Sequence, residues 1–449
     1  MSDLLTPLFR TPGAADLFAD RARLQGLLDF EAALARAHAR AGLFPAAAAE
    51  RIAASCRAEL LDLRELAEAT ARAGNPAIPV VSALTRLVSA QDPEAGRHVH
   101  WNATSQDAMD TGLVLQLRRF LALLEKDLER LSAGLARLAA AHRGTVLCGR
   151  TWLQQAAPTL FGLKAAGWLD AVERQLVRLQ EMRPRLLVLQ FGGAAGTLGS
   201  LGAKGPEVAE ALARELQLSL PALPWHAQRD RLAELAAFLG ILLGTLGKIG
   251  RDLSLLAQTE ISEAFEPAGQ ARGGSSTMPQ KRNPVSASVL LAAAARAPGL
   301  TATLLAAMVQ EHERGLGGWQ AEWETIPELC LLAAGALEHA AAAIEGLEVD
   351  PGRMRENLDG SRGQVFAEAA ASRLAARLGK AEAHEVVGRA ARRARESGRH
   401  LRAALEEDRA APLSASELDA IFDPQRAVGA AAGFIDRVLG QRERRLGAR

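Results

Sequence analysis

A long apolar stripe runs through the segment between His226 and Glu266. No proline interrupts this segment, and its apolar residues recur at steps of mostly three and four positions. They are Leu232, Leu235, Leu239, Leu242, Leu243, Leu246, Ile249, Leu253, Leu256 and Ile261. That spacing places them on one face of a helix, so the pattern predicts a single helix of about forty residues, roughly 60 Å long.

Three further segments carry the same periodicity, near 110–142, 158–190 and 285–313. Together with the segment after His226 they predict an up-and-down bundle of long helices. Helices of this length carry more apolar surface than one chain covers. We therefore expect part of that surface to pack between subunits.

Shorter helical patterns flank the predicted bundle. Two of them, 17–42 and 46–73, precede it, and short helices rich in Ala and Arg follow Asp350-Pro351. No segment is rich in strand signals. We predict an all-α fold with three helical domains, namely an N-terminal helical domain at 1–108, a central long-helix bundle at 109–349 and a small C-terminal helical domain at 350–449.

Composition and charge narrow the possible functions. Lys and Arg number 53 against 52 Asp and Glu, a net charge of +1, which argues against a nucleic-acid or anionic membrane surface. The widely spaced Cys56, Cys148 and Cys330 predict reduced thiols and neither a disulfide nor a zinc framework. We find no signal-peptide pattern and no eighteen-residue stretch free of charges or polar breaks, so we expect a cytoplasmic protein without a membrane span.

Two loops interrupt the helical patterns. Gly74–Val80 contains two prolines and cannot be helical throughout, so it is either a loop near a ligand or a simple helix connection. The glycine-rich segment Gln190–Gly199 lies between helices. It is not a dinucleotide-binding loop, because no β-α-β pattern surrounds it.

The segment Gly273–Pro284 combines glycines, hydroxyls, two cations and an amide. Glycine allows backbone N–H groups to approach an anion closely, and Lys281 and Asn283 add a charge and further donors. The pattern favours a cradle for a carboxylate or phosphate. On composition alone, an ordinary loop between helices is the alternative.

Polar residues also gather at Thr104-Ser105-Gln106-Asp107, just before a predicted helix. They can cap the helix, present donors to a substrate carboxylate, or do both. The nearby His98 and His100 stand two positions apart and share no helix face. No further ligand lies at metal-binding spacing, so a metal site is not expected there.

The segment 273–284 resembles the signature loop of the fumarase/aspartase superfamily, Gly-Ser-Ser-x-x-Pro-x-Lys-x-Asn-Pro, at every fixed position. Thr104–Asp107 with Asp110-Thr111 is similar to the first shared region of that superfamily, and Gly149–Pro158 to the second. The resemblance therefore covers most of the chain. It implies a homotetramer whose active sites are each built from three subunits and contain no metal or organic cofactor.

Within the superfamily, the chain most resembles the bacterial cycloisomerases that lactonise 3-carboxy-cis,cis-muconate, a tricarboxylate from aromatic-acid breakdown. The similar segments are Asn75–Pro79, Gly192–Thr197, Glu311–Trp323 and Trp152. Most superfamily lyases carry His in place of Trp152, where it helps a nitrogen leaving group accept a proton. A carboxylate leaving group has a conjugate acid with a pKa of about 4 and needs no such help, so Trp152 fits a cycloisomerase.

The resemblance also implies roles for single residues. Ser275 is the expected proton donor at the α-carbon, with Ser276 as the alternative within the pair. Apart from the resemblance, His142 is a competing acid, because it stands ten positions before Trp152 and the unperturbed pKa of histidine suits proton transfer near neutral pH. Lys281 and Asn283 are expected to stabilise developing negative charge. The remaining expected substrate-binding residues are Thr104, Ser105, Arg150, Thr151, Gln154 and Arg314.

Two rival functions stay open at the level of sequence. Adenylosuccinate lyase shares the Thr-Ser-x-Asp and Lys-Arg-Asn-Pro strings, but Trp152 argues against it. A catalytically silent bundle protein would keep the fold without the chemistry. The intact loop with both serines and Lys281 argues against that second rival.

Overall fold

The computed structural model describes residues 4–267, 273–274, 278 and 280–447. These residues form twenty α-helices, three 3-10 helices and four short strands. The prediction of an all-α fold is confirmed. The expectation of short helices after Pro351 is confirmed as well.

The α-helices, in chain order, are α1 Thr6–Phe9, α2 Pro12–Leu17, α3 Asp20–Arg40, α4 Ala46–Ser55, α5 Leu63–Ala73, α6 Ala77–Ser89, α7 Pro93–Gly96, α8 Ser105–Ala141, α9 Phe161–Leu186, α10 Gly205–Leu216, α11 Asp230–Leu256, α12 Val285–Ala306, α13 Gly318–Glu345, α14 Pro351–Gly360, α15 Ala367–Leu378, α16 Lys380–Glu396, α17 Leu401–Glu406, α18 Ala415–Ile421, α19 Pro424–Ala427 and α20 Ala431–Gly447. The 3-10 helices are Ala58–Leu60, Gly202–Lys204 and Gln364–Phe366. The strands are β1 Val146–Thr151, β2 Gln154–Leu160, β3 Ala264–Phe265 and β4 Glu348–Val349; β1 pairs antiparallel with β2, and β3 with β4.

Three neighbouring pairs of long helices, α8–α9, α9–α11 and α11–α12, run antiparallel. Along each pair of neighbours, residue numbers rise on one helix as they fall on the other. The contacts that show this are Glu125–Arg183 and Ser132–Glu173 for α8 and α9, Gln175–Thr245 and Trp168–Asp252 for α9 and α11, and Ala236–Thr301 and Gly250–Leu290 for α11 and α12. The predicted up-and-down arrangement is therefore present in these helices.

Contacts divide the chain into two compact units. The first contains 1–128, 175–246 and 292–338, and the second contains 129–174, 247–291 and 339–449. In the first unit, α3 packs against α4 and α10, with Leu28 and Phe30 fully buried. In the second unit, an apolar core gathers around Leu374, Ala390 and Leu401. The three-domain division drawn from the sequence remains a prediction.

Several predicted helices differ from the observed ones. The helix expected to fill 226–266 spans only the 27 residues of α11, about 40 Å. The chain leaves the helical path after Leu256, and Ser262 adopts a left-handed φ of 53° while its N–H donates to the Gln258 carbonyl. The apolar stripe thus extended past the point where the backbone turns.

The pattern at 46–73 also proved to be two helices. The chain breaks after Ser55, and α5 begins anew where the Asp62 carboxylate accepts hydrogen bonds from the N–H groups of Arg64 and Glu65. In the segment Gly74–Val80, α6 already begins at Ala77. Pro79 fits there because the first turn of a helix needs no donor from it.

Three of the long helices, α11, α12 and α13, have the length and composition that would allow them to cross a membrane. Charged residues interrupt each of these helices. In α11 and α13, 61% and 78% of the most apolar window is buried inside the structure, which accounts for its apolar character. In α12 only 28% is buried, so this helix keeps an uncovered apolar face.

Candidate active site

The first cluster of polar groups lies at the start of α8, in the first unit. The Thr104 N–H donates to Asp107 Oδ2 over 3.0 Å. Thr104 directly precedes α8, and Asp107 is the third residue of the helix. The Asp107 carboxylate therefore satisfies one of the free N–H groups at the helix start. The capping interpretation is therefore confirmed, with Asp107 as the capping acceptor.

Asp107 is fully buried and accepts three more hydrogen bonds. Its carboxylate receives the N–H groups of Gly192 (3.0 Å) and Gly193 (2.9 Å), and His226 Nε2 donates to Oδ1 over 2.7 Å. Gly192 must be glycine, because a Cβ atom would lie 2.7 Å from Pro224 and 2.9 Å from the His226 ring. The carboxylate thus joins the predicted glycine-rich loop to the start of α8.

Arg314 completes this cluster. Its Nη1 donates to Thr104 Oγ1 over 3.0 Å, and its Nη2 donates to the carbonyls of Gly193 (3.4 Å) and Ala194 (3.1 Å). The Arg314 Nε–H is buried and has no acceptor among the residues that the structure describes. Thr104 and Arg314, separated by 210 positions in the sequence, therefore lie in contact, as their shared predicted role requires.

A buried charge network lies on the next turn of α8. Arg229 is bonded to Asp110, with Nη1 2.6 Å from Oδ2, and to Glu322 through Nε over 2.9 Å. Burial opposes its charge, but the two carboxylates raise the pKa of Arg229 above its ordinary value. Burial also raises the pKa of Glu322, although Arg229 works against this shift. Trp319 Nε1 donates to Asp110 as well, at 3.2 Å.

The second cluster belongs to the second unit and surrounds the β1–β2 hairpin. Thr151 and Gln154 are the paired, exposed strand residues next to its turn. The turn consists of Trp152 and Leu153, whose φ angles are 53° and 61°. These angles are uncommon for residues other than glycine. The Trp152 side chain is 96% exposed, so the hairpin presents a large aromatic ring to its surroundings.

Arg150 lies on β1 and its guanidinium is held by Glu263. The two N–O distances are 2.8 and 2.6 Å, and Glu263 is fully buried. Asn357 Nδ2 donates to the same carboxylate over 2.8 Å. Burial lowers the pKa of Arg150, but the bond to Glu263 outweighs that effect and raises the pKa overall. Arg150 is thus fixed in one orientation by a partner within its own unit.

Of the remaining predicted residues, His142 follows the end of α8. Its Nδ1 lies 3.1 Å from Thr145 Oγ1, its ring meets Phe161 edge to face, and burial lowers its pKa. Lys281 is exposed. The Asn283 N–H donates to the Gly273 carbonyl over 2.9 Å and closes the base of the signature loop. Ser275 and Ser276 lie outside the described residues.

Glycine is required at the base of this loop. Gly273 has a φ of 68°, and a Cβ atom there would lie 2.5 Å from the Asn283 carbonyl oxygen. Gly273 stands one position before the fixed positions of the signature pattern, which begin at Gly274, so the pattern itself does not mark this backbone requirement. Among the described residues, no group of three or more His, Cys, Asp and Glu side chains is arranged to hold a metal ion.

These motifs agree with comparisons to known proteins. A family model described as "Lyase" matches residues 10–299, well over half of the chain. The chain belongs to this lyase family, in the fumarase/aspartase superfamily. A second model, "Adenylosuccinate lyase C-terminus", matches residues 363–438. The resemblance of the signature loop to the superfamily is thereby confirmed.

Relatives of this lyase-family chain cover almost its entire length. The 3-carboxy-cis,cis-muconate cycloisomerase of Pseudomonas aeruginosa is 60% identical over 95% of this chain and 93% of its own. A crystal structure of 3-carboxy-cis,cis-muconate lactonizing enzyme from Pseudomonas putida matches with a TM-score of 0.94 and 53% identity, covering 99% of both chains. The beta-carboxy-cis,cis-muconate cycloisomerase of Acinetobacter calcoaceticus matches at 0.92 and 40%, covering 98% of this chain and 100% of that one.

No functional role was predicted for His226 or Arg229 in this member of the lyase family, and Glu322 fell only within the similar segment Glu311–Trp323. Asp107 and Asp110 were recognised only as parts of a motif. Asp107 and Asp110 stand three positions apart at the start of a largely apolar helix. Residues at that spacing lie on the same helix face, which indicated that the two carboxylates are buried together. No local signal joins Asp107 to His226, because 119 positions separate them.

Proposed function

We propose that this chain converts 3-carboxy-cis,cis-muconate to 4-carboxymuconolactone in the breakdown of aromatic acids. The observation that carries the proposal is the 60% identity, over 95% of the chain, to a cycloisomerase of that name. Trp152 supports it, since the reaction uses a carboxylate as nucleophile and needs no acid at that position.

The reaction is a β-elimination run backwards. A carboxylate oxygen of the substrate adds to an alkene carbon and forms the C–O bond of the lactone. The electron pair of the alkene moves toward a neighbouring carboxylate, which becomes an aci-carboxylate carrying an extra negative charge. The α-carbon then takes a proton, which restores the ordinary carboxylate.

The residues of this chain suit that charge distribution. Lys281, Asn283 and the N–H groups of the signature loop are donors for the aci-carboxylate, where donors contribute most as charge develops. Arg314, held by Thr104 and the Gly193 carbonyl, is a cation for a substrate carboxylate. Ser275 is the proposed proton donor at the α-carbon. No step requires a metal ion or an organic cofactor.

We also propose a cytoplasmic homotetramer with shared active sites. Trp152 stands fully exposed on its hairpin, and α12 keeps an apolar face of which most is uncovered. Both features favour burial against other copies of the chain. In this arrangement the three motif regions of one site come from three different subunits.

An ultraviolet assay of the purified protein tests the proposed reaction. Protein treated exhaustively with a chelator is offered 3-carboxy-cis,cis-muconate and adenylosuccinate side by side. We expect loss of muconate absorbance and no release of fumarate, with full activity after chelation. Turnover of adenylosuccinate alone would assign the chain to the rival reaction, and inactivity toward both substrates would contradict the proposal.

A further inference from the structure

The Asp107 carboxylate joins three segments of the first unit that are far apart in sequence. It accepts four hydrogen bonds, from the N–H groups of Thr104, Gly192 and Gly193 and from His226 Nε2. Both Asp107 and His226 are almost completely excluded from solvent. A buried carboxylate with four donors is fully satisfied, which makes the arrangement rigid.

Two of the residues tied to Asp107 also hold Arg314. Thr104 Oγ1 and the Gly193 carbonyl accept two of the three Nη hydrogen bonds of Arg314, while the N–H groups of those two residues donate to Asp107. The third Nη hydrogen bond goes to the carbonyl of Ala194, the residue after Gly193. The guanidinium of Arg314 hydrogen-bonds Thr104, Gly193 and Ala194, so Asp107 and His226 act on it through Thr104 and Gly193. Asp107 and His226 therefore support two of the acceptors that hold Arg314.

We propose that Asp107 and His226 are positioning residues that set the orientation of Arg314 toward a substrate carboxylate. His226 donates to Asp107, and its ring packs against Gly192, where no Cβ atom would fit. Its carbonyl also accepts from Gln106 Nε2 over 2.9 Å, which fixes the 226 segment to α8. The inference rests on the proposed function, because it assigns Arg314 to substrate binding.

The test compares two replacements of His226. His226→Gln keeps a donor for Asp107, whereas His226→Leu removes it and leaves a buried carboxylate oxygen short of a partner. We expect His226→Leu to raise KM for 3-carboxy-cis,cis-muconate by roughly tenfold to a hundredfold, with a smaller change in kcat, because a small misplacement of a binding group has such effects. His226→Gln should recover most of this loss. His384→Leu, at an exposed position of α16, is the matched control.

A double-variant cycle separates positioning from a general effect on folding. If His226 acts through Arg314, His226→Leu should raise KM much less when Arg314→Ala is already present. An equal increase in both backgrounds would overturn the proposal, as would a lowered melting temperature with KM unchanged. Should His226→Leu fail to fold, Asp107→Asn replaces it in the cycle. The asparagine side chain has nearly the same volume as aspartate, but its NH₂ group is a donor and would face one of the donors that Asp107 now accepts from.

Binding of tricarballylate, measured by calorimetry, keeps this test independent of turnover. We expect the unaltered protein and His226→Gln to bind this tricarboxylate and His226→Leu to bind it at least roughly tenfold more weakly. That result would support the positioning role even if the unaltered protein did not lactonise the muconate. Equal binding by all three proteins would refute it, whatever the outcome of the activity assay.

Discussion

His142 and Ser275 compete for the role of proton donor, and the surroundings of His142 argue against it. Burial lowers the pKa of His142 below its ordinary value of 6.5. The imidazolium that would deliver a proton is therefore a minor form of the ring near pH 7. Its share grows as the pH falls toward the lowered pKa.

This difference gives a prediction for the pH dependence. With Ser275 as donor, kcat should not rise as the pH falls from about 7.5 to 6, whereas His142 as donor would make it rise over that range. Ser275→Ala should lower kcat by several orders of magnitude, and His142→Gln should leave it nearly unchanged. Steady-state kinetics of both variants across this pH range decide the matter; an inactive His142→Gln with an active Ser275→Ala would reverse the assignment.

Lys281 offers a second test at the level of a single side chain. Lys281→Met removes a positive charge from an exposed loop position while keeping an unbranched side chain of similar length. We expect kcat to fall by roughly 10² to 10³, because one donor to a developing oxyanion is worth that much. Lys380→Met, at another exposed lysine, is the control. Similar kinetics for the two variants would contradict a role for Lys281.

The β1–β2 hairpin depends on one buried ion pair. Glu263 has no exposed surface and holds Arg150 through two short hydrogen bonds, while Asn357 donates to the same carboxylate. Glu263→Gln would leave a half-buried guanidinium facing a neutral amide. Breaking such a pair is costly because the remaining charge stays poorly solvated, so we expect a loss of roughly 2 to 3 kcal/mol in the free energy of unfolding.

Urea denaturation of this variant, followed by circular dichroism, measures that loss. Glu260→Gln serves as the control, since Glu260 is exposed and only three positions away. We expect Glu263→Gln also to lower activity, because Arg150 and the neighbouring Thr151 lie on the same strand. A free energy of unfolding equal to that of the control would show that the pair contributes little to the hairpin.

The sequence predicted helices well where their apolar spacing was long and regular, and poorly where they end. The stripe around Leu242 is buried as expected, but the prediction carried the helix past its end at Leu256. The step of five positions from Leu256 to Ile261 departs from the helical spacing and coincides with the place where the backbone turns. The break before α5 was readable in principle, since Asp62 is a good capping residue. The hairpin was missed because Thr151 and Gln154 flank Trp152 and Leu153, which carry no turn signal.

The candidate site was predictable only where a motif marks it. Thr104, Arg150 and Lys281 were predicted as site residues through resemblance, and the structure gives Thr104 and Arg314 a contact that supports their grouping. His226 lies in none of the motifs that the sequence shares with the superfamily. Its partner Asp107 lies 119 positions earlier, and nothing in a local window of sequence indicates which distant carboxylate a buried histidine will meet.

At the scale of the whole molecule, the uncovered surfaces indicate what the chain packs against. Only 28% of the most apolar window of α12 is buried, and the exposed Trp152 ring stands on a hairpin of the second unit. Exposed apolar surface of this kind usually belongs to an interface. We propose that other copies of the same chain cover these surfaces, since neighbouring subunits can then contribute different motif regions to one active site.

Mixed tetramers test this assembly directly. Ser275→Ala is disabled in the signature loop, and the double variant Thr104→Val/Ser105→Ala is disabled at the start of α8. Each should be nearly inactive alone. If a site draws these two regions from different subunits, unfolding and refolding the variants together should restore part of the activity, because some mixed sites receive both regions from intact copies.

Two controls make the result decisive. Each variant refolded alone must stay inactive, and affinity tags of two kinds must show that mixed tetramers have formed. Light scattering then gives the assembly state, for which we expect four times the 47.6 kDa chain mass. Verified mixed tetramers without recovered activity would mean that each site is built within one chain, and a fully active 47.6 kDa monomer would refute the shared site altogether.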